Sequence, residues 1–486
     1  MVIMKKLKMI PLGMMLLVSF ACTELLDEID SDITFDEGIL DLDTTGSMEP
    51  SNVNRLGLFY TQSELDVWKE RAENGPFKSK GDAGKNTPND WERIIKSANK
   101  FLDNPKKELW FGNIEPEPHS LAHGIKDASF VYAVTGDNKY LGPIKEVLLA
   151  QIRTKEAEVD HVGFTHEKGF HTASWALRLL YAYDYTKDQF SESEKKEIKN
   201  WFEHTAYHFA TRTNNQLSGY FPNRLSNDYS VRKSTAKSGD GEKGSLTHVA
   251  SNGKKGNEIR YIHKVFNNRK SSQIKLVGLV GVAFKNDELI KHAKCFVKET
   301  LMFSTFPDGT MAEYNRNGDY GVPQMGMLYS ATNIEALILI ADALARTGDF
   351  ELYDYETSEG IWGTEGGNKS IKLLIENYYK QVAGINERFY NSAKKENKLD
   401  AIHDQQGKQW ISDIWFSMAN RYYRSEFFQD VYMHRHPNAP EFQGSKLGTS
   451  GPIANAWSGS ASTMPGYLFM FGEMEDEESP YPSSRN

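Results

Sequence analysis

Thr172-Ala-Ser-Trp-Ala-Leu-Arg-Leu-Leu-Tyr-Ala-Tyr-Asp-Tyr-Thr186 decides the fold class. Trp175, Leu177, Leu180, Tyr181 and Tyr183 recur along it at helical intervals, so the stretch predicts a helix with a wide apolar surface. The same pattern returns on both sides. Residues 63–72 predict a helix capped by Ser63, with Leu65 and Trp68 on one face. Further helices are predicted over 91–102, 120–135 and 139–154. Residues 191–212 open on Ser191-Glu-Ser-Glu, close to a capping box. Residues 271–284, 287–303, 329–347 and 369–382 continue the series. Thr135-Gly-Asp-Asn and Thr347-Gly-Asp-Phe each end one helix on glycine and begin the next on aspartate. Antiparallel helix pairs stacked in this way predict a mainly α fold. With no strict repeat period, an (α/α) toroid or incomplete barrel is expected rather than an open solenoid.

Two regions break the pattern. Residues 214–268 are rich in Gly, Ser, Asn and Lys and studded with Tyr220, Arg224, Tyr229, Arg232, Lys233, Arg260, Tyr261 and His263. A connection of that length in a compact domain is disordered or functional, and a cleft loop or lid is expected. From about His434 the chain is again rich in Gly, Ser and Pro. This irregular C-terminal segment carries Trp457, Tyr467 and Phe471 and is expected to pack against the helices.

The N-terminus predicts export. Lys5, Lys6 and Lys8 precede an apolar run over 9–20, broken by Pro11, Gly13 and Ser19. Small residues follow, then Cys22, as in a secretory signal. The run is shorter than the roughly 20 residues that span a bilayer. Ser19-Phe-Ala-Cys22 resembles the bacterial lipoprotein box, with Phe20 and the early Val18 as departures. The resemblance implies a signal peptide over 1–21, lipid on Cys22 and a membrane-anchored, exported protein, periplasmic or facing outward. The acidic segment that follows is poor in aromatics and predicts a flexible tether over 22–56, leaving 57–486 as the folded domain.

Composition narrows the function. The formal net charge of −9 over 486 residues argues against nucleic acid as a partner. An aromatic content of 12% suits a large core, a sugar-binding cleft or both. The only cysteines are Cys22 and Cys295, so no structural disulfide is expected, and Cys295, within a helical pattern, is expected to be buried. His119/His123 and His204/His208 have zinc-compatible spacing but no evident third ligand, so packing is the favoured reading. No metal or other cofactor is expected.

Three later segments carry chemistry. Phe266-Asn-Asn-Arg-Lys-Ser-Ser-Gln opens a helix; Phe306-Pro-Asp-Gly-Thr-Met-Ala-Glu-Tyr-Asn-Arg follows; then comes Met327-Leu-Tyr-Ser-Ala-Thr-Asn-Ile-Glu. Their order resembles the alginate lyase superfamily of (α/α) toroid polysaccharide lyases, and the likeness extends over residues 58–74 and 170–185. The resemblance implies β-elimination on an acidic, uronate-containing polysaccharide such as alginate or glucuronan. Asn and Arg donors stabilise the carboxylate as its neighbouring carbon loses a proton, and Tyr or His moves protons. Residue by residue, it implies Asn268 and Arg316 at the carboxylate and Tyr329 as the acid. Tyr320 is an alternative, because Arg316 and Tyr329 stand further apart than the family pattern. The family's histidine position holds Arg269, so His263, His171 or His248, or a tyrosine, must act as base. Asn267, Arg269, His171, Trp175, Arg224, Arg260, Tyr261 and Tyr314 are the expected substrate contacts.

Structural alternatives accompany these roles. Asn267 and Asn268 can cap a helix, Arg316 can be an ion-paired turn residue, Tyr329 can face the core, and Trp175, Tyr181 and Tyr183 can be core. Two other functions fit the same outline. A glycoside hydrolase would need two carboxylates about 5–9.5 Å apart, from Asp308, Glu313 or Asp319. A SusD-like glycan-binding lipoprotein would be helical and aromatic, but that class's arginine-tyrosine-alanine-glutamate signature is absent.

Overall fold

Thr61, rather than Ser63, caps the first helix. Its hydroxyl accepts from the Glu64 amide (3.3 Å), while the Glu64 carboxylate accepts from the Thr61 amide (2.8 Å), a reciprocal capping box. In the computed structural model, residues 54–78, 91–112, 118–154, 166–220, 266–315, 325–360, 363–382, 414–425, 464–472, 474 and 477–482 are described. All of them belong to one unit, Pro50–Asn486.

The described chain is mainly helical. Its helices are α1 (Gln62–Asn74), α2 (Trp91–Asp103), α3 (His123–Thr135), α4 (Leu141–Ile152), α5 (His166–Thr186), α6 (Glu192–Tyr220), α7 (Asn268–Phe284), α8 (Asp287–Glu299), α9 (Met325–Ala345), α10 (Glu351–Asp354), α11 (Ile371–Val382), α12 (Ile414–Tyr423) and α13 (Tyr467–Phe471). One antiparallel hairpin, β1 (Thr357–Gly360) and β2 (Gly363–Lys369), was not anticipated. The two Gly-Asp turns form, but the helices that follow start on Tyr140 and Phe350 as N-caps rather than on the aspartates. Gly136 (φ 68°) and Gly348 (φ 97°) take left-handed conformations that side chains disfavour. Asp137 and Asp349 then accept from the amides of Lys139 and Glu351.

Three readings need correction. Helix α6 runs through Tyr220, so 214–220 are helical rather than loop; adding residues to an existing helix is cheap even for polar sequence. The helix expected to reach residue 303 stops as α8 at Glu299 and closes with a π turn over Thr300–Ser304. Cys295 is half-buried rather than buried.

Helices α3, α5, α7 and α9 pack in succession. Helices α2 and α4 lie on α3, α4 and α6 on α5, α6 and α8 on α7, and α10 and α11 on α9. Helix α7 is covered on all sides, and Ile274, Leu276, Val277, Leu279 and Val280 are fully buried. Helix α9 also meets α12, α12 meets α13, α13 meets α1, and α1 meets α3. The C-terminal segment packs where expected. Phe469 stacks on Trp91 at 5.0 Å and Phe471 meets Trp68 edge-on at 6.3 Å. The Trp68 indole donates to the Met470 carbonyl at 2.8 Å, and Arg71 donates to the carbonyls of Phe469 and Gly472. Trp457 lies outside the described residues. Among the described residues, no helix is long and apolar enough to cross a membrane.

Candidate active site

Asn267 is the N-cap of α7. Its side-chain oxygen accepts from the amides of Arg269 (3.1 Å) and Lys270 (3.0 Å) and so serves the helix end. Asn268 is the first residue of α7 and is 6% exposed; its carbonyl accepts from the Ser272 hydroxyl at 2.8 Å. Arg269 follows, half-buried. Amide donors and cationic side chains therefore gather at the positive end of the α7 dipole.

Helix α9 lies beside α7 and carries Tyr329, also 6% exposed. Two contacts fix the alignment. The Ser271 hydroxyl donates to the Asn333 side-chain oxygen, and Lys275 Nζ lies 3.4 Å from Glu335 Oε1. Higher numbers on α7 meet higher numbers on α9, so the two helices run in the same direction. Asn268 is three residues before Ser271 and Tyr329 four before Asn333. At about 1.5 Å per residue, they lie about 4.5 Å and about 6 Å up their helices from the shared bond. They are thus nearly level on adjacent helices and at one end of the seam. The turn Ala312–Asn315, which bears Glu313 and Tyr314, also packs on α9.

The core beneath is unusually polar. Lys275, Glu335 and Arg178 of α5 are all fully buried. Burial pulls the Lys275 ammonium below its usual range, against the opposing charge of Glu335. Burial likewise lowers the Arg178 guanidinium to about 9, despite the nearby carboxylates of Glu108 and Asp127. Arg178 donates to the Leu121 carbonyl at 3.0 Å. None of Ser271, Lys275, Asn333 or Glu335 was singled out from sequence. The available signal was a charge inside an apolar run, as at Lys275 and Glu335.

Trp175 must be reassigned. It is fully buried, edge-on to Trp110 at 4.9 Å and Trp201 at 5.6 Å. A ring enclosed by two others offers no face to a sugar, so it is core, as are Tyr181 and Tyr183. His171, four residues earlier on α5, stays partly exposed, its ring 5.4 Å from that of Phe170. Asp308 shapes a turn: its carboxylate accepts from the Thr310 amide (3.0 Å) and hydroxyl (2.6 Å). Gly309 (φ 81°) is required in that turn, because a Cβ there would lie 2.7 Å from the Leu373 carbonyl oxygen. Glu313 is fully buried. His204 is exposed and His208 half-buried on α6. Among the described residues, no group of three or more His, Cys, Asp or Glu side chains could hold a metal ion. Cys22, Arg224, His248, Arg260, Tyr261, His263, Arg316, Asp319 and Tyr320 lie outside the described residues, as does the side chain of Tyr314. No family model and no curated protein matches the chain, so the function is read from the site's own chemistry.

Proposed function

We propose that this protein is a polysaccharide lyase that cleaves a uronate polymer by β-elimination. The level placement of Asn268 and Tyr329 at one end of the α7–α9 seam carries this reading. In the reaction, a base removes the proton on C5 of the uronate. The electron pair becomes the C4–C5 double bond as the C4–O4 bond breaks, and an acid protonates the departing oxygen. Asn268, with Arg316, donates to the carboxylate while charge develops on it. Tyr329 or Tyr320 protonates O4, and His263, His171 or a tyrosine takes the C5 proton. Tyr314, Arg269, Arg224, Arg260 and Tyr261 are the proposed contacts to the polymer. No cofactor is required by this scheme.

The same proposal includes an incomplete (α/α) toroid. Its support is the succession α3, α5, α7, α9, α12, α13, α1 and back to α3, with α2, α4, α6, α8 and α11 packed outside it. The parallel run of α7 and α9 is what a ring of inner helices requires. The hydrolase alternative weakens because Asp308 is used in its own turn and Glu313 is fully buried.

The decisive assay incubates the protein with alginate, glucuronan and related polymers and follows the ultraviolet absorbance of unsaturated uronate ends. New reducing ends without that absorbance would instead mean hydrolysis, and binding without new ends a glycan-binding protein. Lipid attachment at Cys22 completes the proposal. A labelled fatty-acid precursor should mark the protein in a bacterial host, and Cys22→Ala should abolish the label; label retained on the variant would refute the anchor.

A further inference from the structure

We infer that the Ser271–Asn333 hydrogen bond, backed by the Lys275–Glu335 ion pair, is a positioning device that holds α7 and α9 in the register that levels Asn268 with Tyr329. This rests on the elimination reading of those two residues.

All four side chains are at most 1% exposed, where the two helices meet. Stability alone does not explain them. A buried ion pair commonly contributes no more than apolar residues of the same volume, because both charges lose their hydration. Among the described residues, the Asn333 side-chain nitrogen is buried without a hydrogen-bond partner, a further cost. Buried polar pairs do, however, specify alignment, which apolar contacts leave loose. Contacts between aliphatic side chains are non-directional and survive a small shift of partner. The Ser271 hydrogen bond does not, since a slip of one turn, about 5.4 Å, takes the hydroxyl away from Asn333. The bond sits where its leverage on the site is greatest. Asn268 is one turn before Ser271 and Tyr329 one turn before Asn333, so an error in register passes undiminished to both. The Ser272 hydroxyl, bonded to the Asn268 carbonyl, keeps that first turn of α7 wound.

The test uses the full chain on a uronate polymer that it cleaves. Ser271→Ala should lower kcat roughly 10- to 100-fold, the penalty of a misplacement on the order of 1 Å. KM should stay within about twofold, because the substrate contacts are intact. Ser271→Thr keeps the hydroxyl and should recover most of the rate. The loss should also shrink when Ser271→Ala is placed on Asn268→Ala, because the residue being positioned is then gone. Thermal unfolding of each variant is followed in parallel. Full activity of Ser271→Ala overturns the inference. So does a loss of equal size with and without Asn268, which would mark a general structural role. Ser271 carries the experiment even where replacing Lys275 or Glu335 prevents folding. An unsubstituted protein that forms no unsaturated ends on any uronate polymer removes the elimination reading itself, an outcome distinct from an active enzyme indifferent to Ser271.

Discussion

Replacing Glu64 with Gln should cost this protein about 3–5 kcal/mol, the penalty for breaking a fully buried ion pair by removing one charge. Glu64, on α1, accepts from Arg346, the residue just past the end of α9, through two bonds of 2.7 and 3.0 Å. Arg421 of α12 also donates to it, as does the Thr61 amide at 2.8 Å. Arg346 continues to Asp342 at 2.7 Å, and Asp342 accepts from Tyr481 at 2.6 Å. The cluster therefore ties α1, α9, α12 and the C-terminal segment together in the interior. Glutamine preserves the shape but turns an amide group toward two guanidiniums. At about 1.4 kcal/mol per tenfold, the unfolding constant should rise by two to three-and-a-half powers of ten, roughly. Equilibrium urea unfolding followed by tryptophan fluorescence reads this directly, since Trp68 lies one turn beyond Glu64. The pH dependence has a definite sign. Burial alone would raise the Glu64 carboxyl, but Arg346 and Arg421 outweigh it and hold its pKa below the ordinary value. Its contribution is thus complete above the unfolded-chain pKa, about 4.3, and is lost as pH falls through the lower folded value. The deficit of Glu64→Gln should be full at neutral pH and narrow below about pH 4. A deficit under about 1 kcal/mol at neutral pH, the worth of a surface pair, would refute the reasoning.

Other outcomes bear on the site. On a responsive polymer, Asn268→Ala should reduce kcat by about 10²–10³ with the fold intact, as when a donor to a developing negative charge is lost; unchanged turnover removes Asn268 from the site. Of Tyr329→Phe and Tyr320→Phe, the one that removes the acid should lose about 10²–10⁴ in rate, and full activity in both would refute either assignment. Trp175→Ala should destabilise by about 3–5 kcal/mol by opening a cavity between Trp110 and Trp201. Raised KM at unaltered stability would return that ring to sugar binding.

The helices were legible because their signals are local. A helix end must satisfy its own amides within a few residues, so Ser191, the Gly136 and Gly348 turns and the apolar periodicity could be read directly. Where local signals were weak, the reading missed. Thr61 outcompeted Ser63 because it alone has Glu64 three residues on. Residues 214–220 looked like loop because their polar composition does not reveal that α6 is already running. The candidate site was partly legible: Asn267, Asn268, Arg269 and Tyr329 stood out by type and order. Which of them does structural work was not, since capping by Asn267 emerges only once α7 is seen to start at Asn268.

By itself, the sequence determined that the chain is mainly helical, where most helices begin and end, and which residue types are available for carboxylate chemistry. Those follow from interactions spanning at most a few turns. Only the tertiary structure decided that Trp175 is enclosed, that Phe469 and Phe471 close onto α1 and α2, and that Asn268 stands level with Tyr329. Each depends on partners many residues away, 62 in the case of Ser271 and Asn333. A hydrogen bond or an enclosed ring at that separation leaves no periodicity in the chain; it exists only when packing brings the two segments together.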